Sequence, residues 1–204
     1  EKYHPNYLNS RLLKIQASFA AGEPENALRQ ANELLELIAR TSATPENPAQ
    51  SLEQLRVRAL SARGVANLEL GKLAEARADL QEIVRLSPAS ATALVNLAKV
   101  SAAQKNFPEA LDLYDKAATL DKNNFDALSG AVSVLIRQKQ FGAAHEKIAK
   151  ATAATGGDRK ILPALHYLQA DVFTAENNPA AAEAALVKAI ETDDSYLPAY
   201  TAYA

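Results

Sequence analysis

Gly71-Lys72-Leu73-Ala74-Glu75-Ala76, Lys105-Asn106-Phe107-Pro108-Glu109-Ala110 and Lys139-Gln140-Phe141-Gly142-Ala143-Ala144 are three versions of one phrase. Their closing alanines, Ala76, Ala110 and Ala144, stand 34 residues apart. Four residues beyond each comes a larger apolar side chain, Leu80, Tyr114 or Ile148, and three beyond that Ile83, Ala117 or Ala151. Upstream, Leu60, Leu94 and Leu128 keep the same interval, and Gly64, Ala98 and Val132 follow them by four. Steps of three and four are the helical period. Two such runs around a short turn make an antiparallel helix pair, and the pair recurs. A single pair cannot bury its apolar face, so the pairs must stack.

Working outward, a first pair spans about 7–40, turning at Gly22-Glu23-Pro24-Glu25. Pro24 suits the first position of a helix, where no amide donor is needed. The two prolines of Thr41-Ser42-Ala43-Thr44-Pro45-Glu46-Asn47-Pro48 break the chain into a loop. Further pairs fall at about 50–87, with a long first helix, and at 91–121, 125–154 and 160–192. In the last of these Asn178 is the expected N-cap and Pro179 the first helical residue. Ala182, Leu186 and Ala189 repeat the spacing of the second helix, whereas the first helix falls one residue out of phase. Residues 196–204 read as the start of a sixth pair. The expectation is a single all-α domain over 1–204, cut from a longer chain, since the sequence holds no Met and closes on an apolar helix start.

Composition agrees with closely packed helices. The chain has 204 residues, 48% of them hydrophobic and about a fifth alanine. Lys and Arg number 22 against 24 Asp and Glu, which argues against a general nucleic-acid or polybasic membrane binder. The absence of Cys excludes disulfides and thiolate chemistry. No apolar run reaches the length of a membrane span.

The spacing resembles the tetratricopeptide repeat, a helix–turn–helix unit of 34 residues. Leu94, Leu97, Ala98, Ala110, Tyr114 and Ala117 carry the likeness best, and Pro88 matches the closing proline of the family. Arg63, Asn67 and Ser101 depart from it, standing where relatives place apolar side chains, and Lys122 and Gly156 replace the closing proline. The resemblance implies a right-handed α-solenoid of about five pairs plus part of a sixth. It implies a concave face lined by the first helices and a peptide or partner helix as ligand.

Chemistry-bearing motifs are scarce. His4, His145 and His166 lack partners at metal-ligand spacing. Gly156-Gly157-Asp158-Arg159-Lys160 lacks the spacing of a phosphate loop and reads as a turn. Asp193-Asp194 has no visible partner base, and no nucleophile motif occurs. The expectation is therefore no catalytic residue, no metal and no cofactor.

By phase, Arg58, Ser61, Val65 and Leu68 face the groove, followed by Thr92, Val95, Asn96, Lys99 and Ala102. Asp126, Ser129, Ser133, Ile136 and Arg137 continue the face, then Tyr167 and Asp171. Asn96 offers both donor and acceptor to a peptide backbone. Some relatives hold an extended peptide by an equivalent Asn, and others clamp a terminal carboxylate with Lys and Arg, a role open to Lys99 and Arg137. Arg56, Arg58 and Arg63 form a basic cluster on the long helix. Residues 137–160 hold six bases and two acids, and from Asp171 onward six acids face only Lys188. Tyr200 and Tyr203 are expected to cover an apolar end by self-association.

The favoured expectation is a non-catalytic protein-interaction scaffold. The alternatives are a recruiting or regulatory arm of a larger enzyme or envelope export protein, and a self-assembling scaffold. Residues 178–204 resemble bacterial repeat arrays, which leaves cytoplasm and cell envelope both open.

Overall fold

Every first helix of a pair ends in the same turn. The residue at its tip is Gly22, Gly71, Lys105, Lys139 or Asn177, with φ of 71°, 71°, 61°, 57° and 60°. The amide after each tip reaches back five residues: Glu23 to the Ser18 carbonyl at 2.9 Å, Lys72 to Asn67 at 2.8 Å, Asn106 to Ser101 at 2.8 Å, Gln140 to Leu135 at 2.9 Å and Asn178 to Phe173 at 2.9 Å. This is the Schellman closure, in which a left-handed residue lets the orphan carbonyls of a helix end find donors. Five residues beyond each tip stands an alanine of the second helix, Ala27, Ala76, Ala110, Ala144 or Ala182, all buried. The turn and the small residue therefore form one device, which reverses the chain and seats helix on helix.

The computed structural model describes residues 5–155 and 160–203, with side chains from residue 7 onward. The turn expected at Gly156-Gly157-Asp158 and the histidine His4 lie outside the described residues. Among those described there are only helices and connections. In chain order they are α1 (Pro5–Ala20), α2 (Pro24–Arg40), α3 (Ala49–Glu69), α4 (Leu73–Leu86), α5 (Ala91–Ala103) and α6 (Phe107–Leu120). Then come α7 (Phe125–Arg137), α8 (Phe141–Ala154), α9 (Leu162–Ala175), α10 (Pro179–Thr192) and the short α11 (Leu197–Tyr203). The fold is all-α, five helix pairs and the beginning of a sixth. N-caps open several helices: Ser90 Oγ accepts from the Ala93 amide at 3.2 Å, Asn124 Oδ1 from Ala127 at 2.9 Å and Asn178 Oδ1 from Ala181 at 3.2 Å. Each such cap contributes about 1 kcal/mol.

The chain divides into two compact units, Glu1–Lys122 and Asn123–Ala204. In the first unit α3 packs on α1, α2, α4 and α5, and α5 packs on α4 and α6. Leu8, Leu12 and Ile15 of α1 meet Ala27, Ala31, Leu34 and Ile38 of α2 and Leu55, Ala59 and Ala66 of α3. Burying each leucine or isoleucine here stabilises by about 1.5–3 kcal/mol. At Gly64 a Cβ would meet Leu80 Cγ at 3.1 Å, so α3 and α4 approach closely where the repeat places its small residue. In the second unit α9 packs on α7, α8, α10 and α11. Its core includes Ala170, Ala182, Ala185, Leu186, Ala189 and Ala199.

Two spacings depart from 34. From Ala27 to Ala76 is 49 residues, because α2 and α3, at 17 and 21 residues, are longer than their counterparts and the loop 41–48 between them is longer too. From Ala144 to Ala182 is 38, with the additional residues between α8 and α9. Counted by that interval α9 keeps the register of α7, since the buried Leu165, Ala170 and Val172 stand 38 residues after the buried Ala127, Val132 and Val134; the one-residue slip expected of α9 is not there.

Candidate binding faces

Two of the three polar residues that break the apolar pattern, Arg63 and Ser101, are satisfied inside the stack. Arg63 donates to Asp79 by Nε at 2.8 Å and Nη2 at 2.6 Å, and to Asn32 at 3.2 Å. Asp79 is only 6% exposed, so its charge is carried by that bidentate pair. Ser101, fully buried, donates to the Leu97 carbonyl at 3.1 Å. It also meets Glu109 at 3.0 Å, and Arg77 reaches Gln104 at 2.9 Å and pairs with Glu109. Arg77, Ser101 and Asn106 hold the Glu109 carboxyl below the usual range, the Arg77 bond being the main cause. Ser18 takes the same role in the first pair, accepting from Asn26 at 3.1 Å and Gln30 at 3.2 Å.

The basic cluster expected on α3 is not a cluster. Arg56 and Arg63 are seven residues apart and share one face of α3, where both meet acids: Arg56 lies 3.6 Å from Glu53 and 3.5 Å from Glu82. Two residues place Arg58 some 200° around the helix from Arg56. There it is exposed, and among the described residues it has neither acid partner nor hydrogen bond. Every other described arginine from Arg11 to Arg85 has an acid within 4.0 Å.

Arg58 borders an open groove of about 350 Å³ between α1 and α3, floored by Leu12, Phe19 and Val65 and edged by Gln16 and Ser61. Val65 is half-buried there. The next first helix, α5, carries the half-buried Asn96 and the exposed Lys99, neither with a partner among the described residues. Val95 and Ala102, expected on the open face, are buried at 2% and 8% exposure. The reason is the position of α5, which has α3 and α4 on one side and α6 on the other. A larger cavity of about 600 Å³ lies elsewhere in this unit. Leu35, Ile38 and Thr41 line it with Leu52, Arg56 and Arg63, so it belongs to the inserted loop and the lengthened α3.

In the second unit Ser133 and Arg137 are exposed on α7, and Tyr167 is half-buried on α9. The Tyr167 ring meets Tyr196 edge-on, with centroids 6.2 Å apart and planes at 70°. Sequence reasoning missed Tyr196 as a neighbour of Tyr167. Phase sets Tyr167 on the open face, 38 residues after Ser129, but carries no information on contacts between different helix pairs. His145 packs on Phe173 at 4.8 Å, lies 3.0 Å from Glu176 and bonds Gln169, joining α8 to α9. Burial and Lys188 hold His166 below the usual histidine range. Among the described residues no three His, Asp or Glu side chains gather as metal ligands. On α11, Leu197, Tyr200 and Tyr203 are 72%, 42% and 49% exposed. The Tyr203 hydroxyl donates to Glu183 at 3.3 Å. No described helix is long and apolar enough to cross a membrane.

The family model described as Tetratricopeptide repeat matches residues 49–91 and 61–126. No curated protein matches the chain in sequence. Solved structures do match in fold. TTC0263, a thermophilic TPR protein of Thermus thermophilus, is 15% identical over 96% of both chains, with a TM-score of 0.71. A putative kinesin light chain of Podosopora anserina, with nearly identical TPR-like repeats, is 16% identical over 93% of this chain and 96% of its own, at 0.71. YrrB, described as a TPR protein with an unusual peptide-binding site, is 18% identical over 94% and 89%, at 0.54. Residues 49–126 thus carry tetratricopeptide repeats, and the fold of the described residues is that of tetratricopeptide repeat structures.

Proposed function

We propose that the chain is a non-catalytic scaffold that holds an extended peptide, or one helix of a protein partner, against its first helices. The observation that carries this is Arg58. Among the described arginines from Arg11 to Arg85, seven lie within 4.0 Å of an acid of the chain, and the one that does not, Arg58, stands at the rim of an open, apolar-floored groove. An apolar floor with a few unpaired polar groups is the usual make-up of a ligand site. Asn96 and Lys99, unpaired on α5, extend the same chemistry: amide recognition of a backbone and a second cation. The fold supports it too, since YrrB, of the same fold, is described as peptide-binding. Random-peptide selection against the full chain tests the proposal. A shared motif with apolar residues beside an acidic one is the expected result; no enrichment contradicts it.

A second reading, self-association, rests on α11 alone, where Leu197, Tyr200 and Tyr203 present apolar surface. It requires concentration-dependent mass in sedimentation that falls when Tyr200 and Tyr203 become serine. A chain monomeric at high concentration contradicts it.

A further inference from the structure

Tyr167 and Asp171 stand one turn apart on α9 and so share a face. Tyr196, the residue before α11, brings its ring edge-on to Tyr167. Both rings pack on the apolar cluster of Ala170, Leu186 and Ala199, which fixes their orientation. Burial is the main cause that pushes the Tyr196 hydroxyl up, and Tyr167 and Asp171 add to it, so the three groups share one neighbourhood. Asp171 is accessible, yet among the described residues nothing bonds or pairs with it.

We propose that Tyr167, Asp171 and Tyr196 form a receptor for a cationic side chain, an arginine of a protein partner. An aromatic face attracts a guanidinium through its quadrupole, and a carboxylate beside it supplies the counter-charge. Arginine fits better than lysine because its planar, weakly hydrated head can stack on a ring and bond a carboxylate together. Partial burial by the surrounding helices pushes the Asp171 carboxyl up, and among the described residues no positive charge offsets this. An arriving cation would reverse that push. Lys188, the one base from Asp171 onward, bears on His166 instead. The acids of that stretch, six against one base, favour the approach of a basic segment.

The inference deepens the scaffold function and rests on it, but the two can fail separately. The test is a titration of the full isotope-labelled chain with acetyl-Ala-Arg-Ala-amide, followed by amide shifts. A citrulline peptide of the same shape and no charge is the comparison. Saturable shifts are expected at Tyr167, Asp171 and Tyr196, with the citrulline peptide weaker by at least about fivefold. Asp171→Asn, a solvent-accessible and near-isosteric change, should weaken the arginine peptide to a similar degree. Tyr167→Phe should keep affinity within about twofold, because the ring face is retained. Equal binding of citrulline, full affinity in Asp171→Asn, or shifts elsewhere only would each overturn the receptor. Failure of peptide selection on the first unit, with arginine binding intact, would overturn the groove and leave the receptor standing.

Discussion

Arg63 of α3 and Asp79 of α4 join the second helix pair by a two-toothed bond, 2.8 and 2.6 Å, around a carboxylate that water barely reaches. The family-atypical arginine is thus matched by an equally unusual buried acid. Removing one partner strands the other. Arg63→Ala is expected to destabilise by about 3 kcal/mol, at the lower end for buried pairs because the guanidinium is partly exposed. Replacing both with leucine should cost much less than either single change. Urea unfolding of the three variants checks this, and additive single and double costs would contradict it.

The left-handed turn tips make a second prediction. Lys105 and Lys139 hold positive φ that a side chain resists, and glycine does not. Lys105→Gly should stabilise by about 0.5–1 kcal/mol. Gly71→Ala should destabilise by about 1 kcal/mol, although nothing lies within 4 Å of the added methyl. The cost is therefore conformational. Equilibrium unfolding midpoints that move the opposite way would sink the assignment of these turns.

The buried alanines of the repeat are the seats of second helices on first. Ala110 is fully buried, so Ala110→Leu should cost about 1–3 kcal/mol by overpacking. Ala103, exposed at the end of α5, should accept leucine with little change. Thermal melts of the two variants compare them directly.

Two carboxyls should respond to pH with opposite signs. Glu109 is held low by Arg77, so its contribution is complete above the ordinary glutamate range, near 4.3, and is lost as pH falls through the lowered folded value. Glu109→Gln should cost about 1 kcal/mol at neutral pH and flatten the acid limb of the stability curve. Asp171 is held high by burial, so ionising it opposes folding as pH rises through the carboxylate range. Asp171→Asn should raise the melting temperature at pH 7 and give no advantage below the ordinary aspartate range, about 3.9.

Helix pairs were legible because the small residue and its apolar followers recur at fixed steps from Ala76 to Ala151. The partnering of Arg63 was not, since Asp79 lies on the next helix and only packing brings the two together. The basic cluster of α3 dissolved for the same reason: chain proximity put Arg56, Arg58 and Arg63 together, while helix phase and acids on other segments separated them. Val95 was misjudged because phase gives a direction but not what stands in that direction. The pairing of Tyr167 with Tyr196 was not legible either, since the two stand in different helix pairs and only packing brings the rings together.

Affinity of a selected peptide for the chain and for an Arg58→Glu, Lys99→Glu variant tests the groove most directly. Both side chains are exposed and unpaired, so the variant should melt as the parent does. A loss of at least about tenfold is expected, and a milder loss in high salt for the parent. Unchanged affinity in a folded variant would contradict it, and would move the ligand off the face that α1, α3 and α5 present.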